Sequence, residues 1–336
     1  MSNPRRKNPK SLPRLPLSAF TPQASPGDSF PLVASPTTVH PTKIIDANVI
    51  IDDEDIDLTR WFREAGSNLS QRIAGVVLTL AGSERDKYKE ILGSRRNNTP
   101  IVSLAIPFKL QDPVSSAILT SPDLSIPISL STVFYKTTPE AVEALKWAFQ
   151  SGRPVDIDLP NASTEGVLEG IQDLLAKATA DLAQVPPIIL ANYLPPPHDL
   201  ALPIVRLMNH PHYQTYQVHI AALSLAHNLC IKYIPPAWNA PPPPTPLPGA
   251  TTSSEADDKQ QRNEWKRRIK MYLGPVVEAF GYERIIFGSS PSPGSYHPSH
   301  VGDWYEIARE ALAELGVDQE SVDAIFYGNA KRVYGA

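Results

Sequence analysis

After residue 42, the chain alternates short apolar runs with segments of helical periodicity. Continuous apolar runs of about four to eight residues are typical of parallel strands, which are buried on both faces. Strands that alternate with helices predict an α/β fold. The number of predicted strands is eight, which matches a (β/α)8 TIM barrel. The predicted strands are residues 43–51, 74–80, 101–107, 126–133, 155–160, 187–193, 229–234 and 284–288.

The clearest helical segment lies at residues 139–150. Thr138 is a suitable N-cap residue, Pro139 fits the first helical position, and Gly152 follows the end of the segment. This start and stop chemistry fixes both ends of the helix. Further helices are predicted at residues 58–64, 85–92, 164–183, 200–209, 214–226, 264–280, 304–315 and 319–327.

Residues 1–42 have a different composition from the rest of the chain. Five basic residues precede the first acid, Asp28, and Pro and Ser recur throughout. The prolines oppose an amphipathic helix, so we expect a disordered basic tail. An organelle-targeting presequence and a basic nuclear signal are the alternatives.

Residues 235–263 lack the alternating strand and helix patterns of the rest of the chain after residue 42. The segment is rich in Pro and then in Ser, Thr, Glu, Asp and Gln, and we expect no packed element in it. It follows the seventh predicted strand and therefore emerges at the C-terminal face of the barrel, where TIM-barrel active sites lie. Two interpretations remain open, a disordered insertion and a lid over the barrel mouth.

The composition of the chain excludes several classes of function and of site. Of the 336 residues 42% are hydrophobic, which is enough for a large core, and the net charge of −4 gives no electrostatic argument for nucleic-acid binding. One cysteine, Cys230, excludes a disulfide framework and a cysteine zinc site. No apolar run reaches the roughly 18–20 residues of a membrane span. We expect a cytoplasmic protein that acts on a small molecule without a cofactor, with its oligomeric state open.

Several of the predicted strands carry distinctive sequences, and these sequences occur in a definite order along the chain. The first strand contains Ile44-Ile45-Asp46-Ala47-Asn48-Val49-Ile50, and the fifth Val155-Asp156-Ile157-Asp158. The last strand ends Phe287-Gly288-Ser289-Ser290-Pro291, and the chain closes with Asn329-Ala330-Lys331-Arg332-Val333-Tyr334-Gly335. With the segments 185–193 and 228–233, this series resembles the amidohydrolase-related TIM-barrel hydrolases, in particular their lactonase-like branch. The resemblance implies a hydrolase of small cyclic esters or amides.

The catalytic positions of that family are changed in this chain. The family's opening His-x-His corresponds to Asn48 and Ile50, its sixth-strand His to Asn192, and its eighth-strand Asp to Ser290. A catalytic zinc ion needs about three strong N, O or S ligands, which these side chains do not supply. We therefore expect no metal at the family position.

Two carboxylates and one lysine are the strongest catalytic candidates. Asp156 and Asp158 alternate on one strand and so share a face, and a buried carboxylate can have a pKa suited to acid–base catalysis. Asp158 is favoured because it lies nearer the C-terminal end of the strand. Lys232 interrupts an apolar strand and either holds an anionic substrate or forms an ion pair with Asp156 or Asp158.

The remaining candidates surround the predicted barrel mouth. Ser290 joins the catalytic set as a hydrogen-bond donor to the scissile carbonyl, together with Asn48 and Asn192, because a nucleophilic serine would need an adjacent base. Tyr193, His297 and His300 are predicted substrate-binding residues near the ends of strands six and eight.

Three functions follow from this set. The first is an amidohydrolase-like hydrolase in which Asp158 activates water and Lys232 holds the substrate. The second is an inactive descendant that binds a small ligand or a partner, since all four family positions have changed. The third, weaker hypothesis is a decarboxylase or lyase that uses Lys232, because one fold hosts many chemistries.

Overall fold

The computed structural model describes residues 35–51, 58–80, 99–111, 126–160, 165–192, 202–238, 240–245, 255–292 and 299–335. The predicted helix at residues 85–92 and residues 1–34 of the predicted tail lie outside this set. None of the helices in the described part of the chain has the length and apolar character that crossing a bilayer requires.

Eight parallel strands form one sheet in chain order. Every predicted strand is confirmed, with ends that differ by up to two residues. Parallel neighbours in sequence order, each joined by a crossover, are the arrangement of a (β/α)8 barrel. The strands are β1 (Ile44–Ile51), β2 (Ile73–Leu80), β3 (Ile101–Pro107), β4 (Ile128–Val133), β5 (Val155–Asp158), β6 (Ile188–Ala191), β7 (Leu229–Tyr233) and β8 (Ile285–Phe287).

The barrel is nearly closed where β1 meets the end of β8. The backbone N–H of Ser290 donates to the carbonyl oxygen of Asn48 at 3.0 Å. The pairing of β1 with β2 shifts register between Asp46 and Val49, which places one extra residue on β1. Such a bulge interrupts the strict alternation of side chains along a strand.

Helices surround the strands. Pro139–Gln150 is confirmed, and the hydroxyl of Thr138 accepts from the N–H of Ala141 at 3.2 Å as the predicted cap. The helices are α1 (Thr59–Ser70), α2 (Pro139–Gln150), α3 (Glu165–Thr179), α4 (Ile204–Met208), α5 (Pro211–Ser224), α6 (Glu255–Phe280), α7 (Val301–Glu314), α8 (Gln319–Asp323) and α9 (Asn329–Tyr334), with a π-helical turn at Ala324–Gly328.

The expectation that residues 235–263 contain no packed element is wrong. Helix α6 begins at Glu255, nine residues before the predicted start at 264. Trp238 is buried with its ring 4.6 Å from that of Trp265, and Arg262 forms an ion pair with Glu310 of α7 at 3.2 Å. These long-range contacts stabilise a polar segment whose own sequence lacks helical periodicity.

Residues 35–42, assigned above to the tail, contact the barrel helices. Arg309 of α7 donates to the carbonyl oxygens of Pro36 at 2.9 Å and Val39 at 2.7 Å. The N–H of Thr42 donates to Asp323 at 2.6 Å. The packed part of the chain therefore begins before residue 43.

Helix α9 closes the barrel from the side at which the strands begin. Its residues Ala330, Val333 and Tyr334 pack against inward-facing side chains of the barrel, which include Ile45, Val77, Ile189, Cys230 and Ile286. The opposite, C-terminal ends of the strands are thereby left as the accessible side of the barrel interior.

Candidate functional site

A cavity of about 170 Å³ lies at the C-terminal ends of the strands. Its lining includes Asn48 of β1, Phe108 after β3, Asp158 of β5, Lys232 of β7 and Ser292 after β8. Seven of the eight strands, β1 to β7, contribute between one and three of the described lining residues each, so the cavity exists only when the sheet has curled into a barrel. This is the face of the fold that carries the active site in TIM-barrel enzymes.

Asp158 is the ionisable group best suited to chemistry in the cavity. It is the last residue of β5 and is 8% exposed. Ser292 donates a short hydrogen bond to its Oδ2, whereas its Oδ1 has no hydrogen-bond partner within the described part of the chain. Burial raises the pKa of Asp158 to about 6, although the Ser292 hydroxyl, the Leu159 N–H and the Lys232 charge favour ionisation. Such a carboxylate can accept a proton near neutral pH.

Asp156 and Lys232 form a buried ion pair beneath Asp158. The Nζ of Lys232 donates to Oδ2 of Asp156 at 2.9 Å, and the hydroxyl of Tyr334 donates to Oδ1 at 2.6 Å. Desolvation and the neighbouring Asp156 raise the pKa of Tyr334 well above its usual value, so it remains a donor. Of the two predicted interpretations of Lys232, the structure shows the ion pair with Asp156.

Asp46 organises the junction between β1 and the end of β8. Its Oδ1 accepts from the backbone N–H groups of Ser289 at 2.9 Å and Asn48 at 3.1 Å. The side chain is fully buried, and this desolvation raises its pKa even though the hydrogen bonds favour the ionised form. Asp46 therefore fixes the backbone on both sides of the junction.

The side chains of Asn48 and Ser290 form hydrogen bonds with backbone groups at this same junction. The amide nitrogen of Asn48 donates to the carbonyl oxygen of Ser290 at 2.8 Å, and the Ser290 hydroxyl accepts from the N–H of Ile50 at 3.3 Å. Asn48 lines the cavity, whereas Ile50 and Ser290 are not among its described lining residues. The bulge in β1 explains why positions 48 and 50 do not present equivalent side chains to the interior.

Asn192 directly follows β6 and adopts the left-handed conformation, with φ of 60°. Its amide nitrogen donates to the carbonyl oxygen of Leu159 at 3.4 Å, and the side chain is buried. The left-handed region is one that asparagine tolerates better than most residues. Asn192 is thus tied to the end of β5 and is not among the described residues that line the cavity.

Of the other predicted binding residues, the described part of the chain includes His300, which is not among the described residues that line the cavity. His300 precedes α7 and lies 3.3 Å from Asp303, with about half of its side chain exposed. Tyr193 and His297 fall outside the described residues. The roles of these residues toward a ligand stay predictions.

The residues that the resemblance places at metal-binding positions do not fit a metal ion. Asn48, Asn192 and Ser290 are uncharged and hydrogen-bonded to backbone groups, and Ile50 has no ligating atom. In the described ranges, no three His, Cys, Asp or Glu side chains are grouped closely enough to coordinate one. These residues therefore offer no ligand set for a metal-assisted step.

Two site residues were not predicted from the sequence. Ser292 lies two residues beyond Ser290, in the run Ser289-Ser290-Pro291-Ser292, and no pattern distinguishes these hydroxyls. Tyr334 belongs to the closing motif that carried the family resemblance, but its position beneath the barrel depends on how α9 folds back. The spacing of Asp156 and Asp158 did predict that both face inward, as observed.

Comparisons with known proteins agree with the fold. No protein-family model matches the chain, and no curated protein matches it. A solved amidohydrolase from Burkholderia multivorans with bound zinc aligns with a TM-score of 0.58 and 14% identity, covering 87% of this chain and 99% of its own. A putative 2-pyrone-4,6-dicarboxylic acid hydrolase from Pseudomonas putida aligns with a TM-score of 0.51 and 15% identity, covering 88% and 98%. The TIM-barrel fold implied by the amidohydrolase resemblance is confirmed.

Proposed function

We propose that the protein is a hydrolase of small cyclic esters or amides, with Asp158 as its general base and no metal ion in the reaction. The observation that carries this proposal is a buried carboxylate at the cavity wall whose pKa is raised to about 6 and whose Oδ1 has no hydrogen-bond partner among the described residues. A buried polar atom of this kind normally has a partner, and a water molecule supplies one. The fold shared with amidohydrolases and a putative pyrone-dicarboxylate hydrolase supports the reaction class.

The proposed reaction begins with water hydrogen-bonded to Oδ1 of Asp158. The carboxylate takes a proton from this water as its oxygen attacks the ring carbonyl carbon. The carbon–oxygen or carbon–nitrogen bond of the ring then breaks, and the protonated Asp158 returns the proton to the leaving atom. The product is an open-chain hydroxy or amino acid, and Asp158 is again a carboxylate.

Lys232 is the proposed donor to the oxyanion that forms during the attack. An ammonium group has three N–H donors, and one of them is directed to Asp156. Asp156 and Tyr334 hold the ammonium group at the cavity wall without consuming its other donors. Ser292 positions Asp158 by occupying Oδ2 and leaving Oδ1 for water.

A non-catalytic binding protein is the second candidate. The observation that favours it is that Asn48, Asn192 and Ser290, at the positions of the resembled family's catalytic residues, hydrogen-bond to backbone groups. Such side chains stabilise the barrel whether or not chemistry takes place. A lyase that uses Lys232 has less support, because the ammonium group is engaged with Asp156.

Turnover of a lactone panel tests the proposal. We expect the purified full chain to open at least one monocyclic lactone, with a rate that rises as pH passes about 6 and is unchanged by a chelator. Asp158→Asn should lower kcat by about 100-fold or more, a typical contribution of a general base. Turnover that persists in Asp158→Asn would exclude this mechanism, and no turnover of any lactone or cyclic amide would favour the binding protein.

A further inference from the structure

The charges that line the cavity are unequally compensated. Asp156 uses one oxygen for Lys232 and the other for Tyr334. The positive charge of Lys232 is therefore balanced by a carboxylate 2.9 Å away. Asp158 accepts from the hydroxyl of Ser292 at one oxygen and has no described hydrogen-bond partner at the other. The charged residues among the described lining are these two carboxyl groups and one ammonium group.

Because the charged groups of the cavity are buried, the incompletely compensated charge of Asp158 strongly affects the affinity for charged ligands. Asp156, Asp158 and Lys232 are each less than a tenth exposed, so water screens their charges weakly. An anion placed within several ångströms of ionised Asp158 loses about ten- to a hundredfold in affinity through repulsion. The ion pair offers little compensating attraction, because Asp156 already neutralises the nearby ammonium group.

The size of the cavity sets a second limit. Its volume of about 170 Å³ is similar to that of apolar cavities of roughly 150 Å³ that hold one benzene molecule. Phe108, Leu80 and Pro107 contribute apolar walls that suit the faces of a ring. One ring with a small substituent therefore fills this space.

From this charge and volume we infer that the cavity takes uncharged or cationic ligands of about one ring and rejects carboxylates of the same shape. The inference rests on the proposed function for the identity of the site and narrows its substrate to lactones or cyclic amides without carboxylate substituents. A hydrogen-bond donor of the ligand, or the attacking water, faces Oδ1 of Asp158.

Three nearly isosteric probes test the inference directly. Benzamidinium, benzamide and benzoate share one ring and one planar substituent but carry charges of about +1, 0 and −1 at pH 7.5. Titration calorimetry or ligand-detected NMR on the full chain should show benzoate binding about tenfold or more weakly than benzamide. The difference should shrink at pH 5, where Asp158 is mostly protonated.

Substitutions of single charged residues show which charge causes the weaker binding of benzoate. Asp158→Asn should remove the discrimination, and Asp156→Asn should raise benzoate affinity because it leaves Lys232 uncompensated. Asp181→Asn is the matched control, since this aspartate is exposed and pairs with Lys146 at 2.9 Å. It should leave the order of the three probes unchanged.

Three outcomes overturn the inference. They are benzoate binding as tightly as benzamide at pH 7.5, the same order of affinities in Asp158→Asn, and no binding of any probe. The proposed function is judged separately by turnover. Charge-selective binding without hydrolysis contradicts the proposed function alone, whereas preferred hydrolysis of carboxylated lactones contradicts this inference alone.

Discussion

At the scale of single residues, the site depends on two aspartates with the same side chain and different surroundings. Asp156 accepts from Lys232 and Tyr334, while two residues later Asp158 forms no described ion pair and has a pKa raised to about 6 by burial. Strand geometry places both on one face, and their different neighbours give Asp156 an ion pair and Asp158 a raised pKa.

The raised pKa of Asp158 predicts a pH-dependent cost in stability. The folded state holds the proton more tightly than the unfolded state, whose aspartate has a pKa near 3.9, so the contribution is favourable below about pH 4 and is lost as pH rises through about 6. Asp158→Asn should therefore be more stable than the wild type at pH 7.5, by about 1 to 3 kcal/mol. Urea unfolding at pH 7.5 and pH 4.5 checks this, and an equal difference at both values would contradict it.

Tyr334 is predicted to stabilise the fold through its hydroxyl group. Tyr334→Phe leaves Oδ1 of Asp156 buried without its donor, which costs about 1 to 3 kcal/mol in the free energy of unfolding. Urea denaturation measures this loss. Tyr327→Phe, on the partly buried Tyr327 of the preceding π-helical turn, is the control and should change stability by less than about 0.5 kcal/mol. Equal effects of the two substitutions would rule out a specific role for the Tyr334 hydroxyl.

At the scale of elements, the described contact between β1 and the end of β8 lacks the regular strand pairing that joins the other neighbouring strands. Regular strand pairing runs from β1 to β8 through their neighbours, and the junction itself is made by Asp46, Asn48 and backbone groups of Ser289 and Ser290. Asn48 and Ser290, which the resemblance placed at catalytic positions, thus act as part of the barrel's closure.

Asp46 allows this closure to be tested. Asp46→Ala leaves the N–H groups of Ser289 and Asn48 without their acceptor and should cost about 2 to 4 kcal/mol. Asp46→Asn keeps an acceptor oxygen and removes the buried charge, so it should cost at least about 1 kcal/mol less than the alanine variant. Thermal and urea unfolding compare the two, and a similar loss in both would show that the charge matters more than the hydrogen bonds.

The sequence predicted these elements with uneven success, for physical reasons. Buried parallel strands are recognisable because they are rich in apolar residues, and all eight were found even though some, such as β5, also carry inward-facing polar residues. Helix α6 was predicted short because Glu255 to Asn263 is polar on every side, and it is held by tertiary contacts such as Arg262 with Glu310. The β1 bulge and the position of Ser292 arise from packing between distant segments, which no local pattern encodes.

At the scale of the whole molecule, residues far apart in the chain meet around the barrel. Residues 35–42 contact α7 and Asp323, and α9 closes the barrel beneath the cavity. The candidate site is therefore connected through Tyr334 to the C-terminal end of the described chain.

Shortening the chain from its amino end tests the contribution of residues 35–42. A protein that begins at residue 43 should be less stable than one that begins at residue 35, by about 1 to 3 kcal/mol, because Arg309 loses two carbonyl acceptors and Asp323 loses its Thr42 donors. Melting temperatures of the two proteins make the comparison. Identical values would show that these hydrogen bonds contribute nothing to stability.

The most direct test of the central claim is the titration of Asp158 itself. Proteins labelled with ¹³C at aspartate carboxyl carbons, compared with Asp158→Asn for assignment, give the pKa of this group by NMR. A pKa of about 6 is the predicted result, and it would establish a proton acceptor suited to neutral pH in the cavity. A pKa of about 4 or lower would contradict the account, because Asp158 would then be an ordinary ionised carboxylate with its partners satisfied.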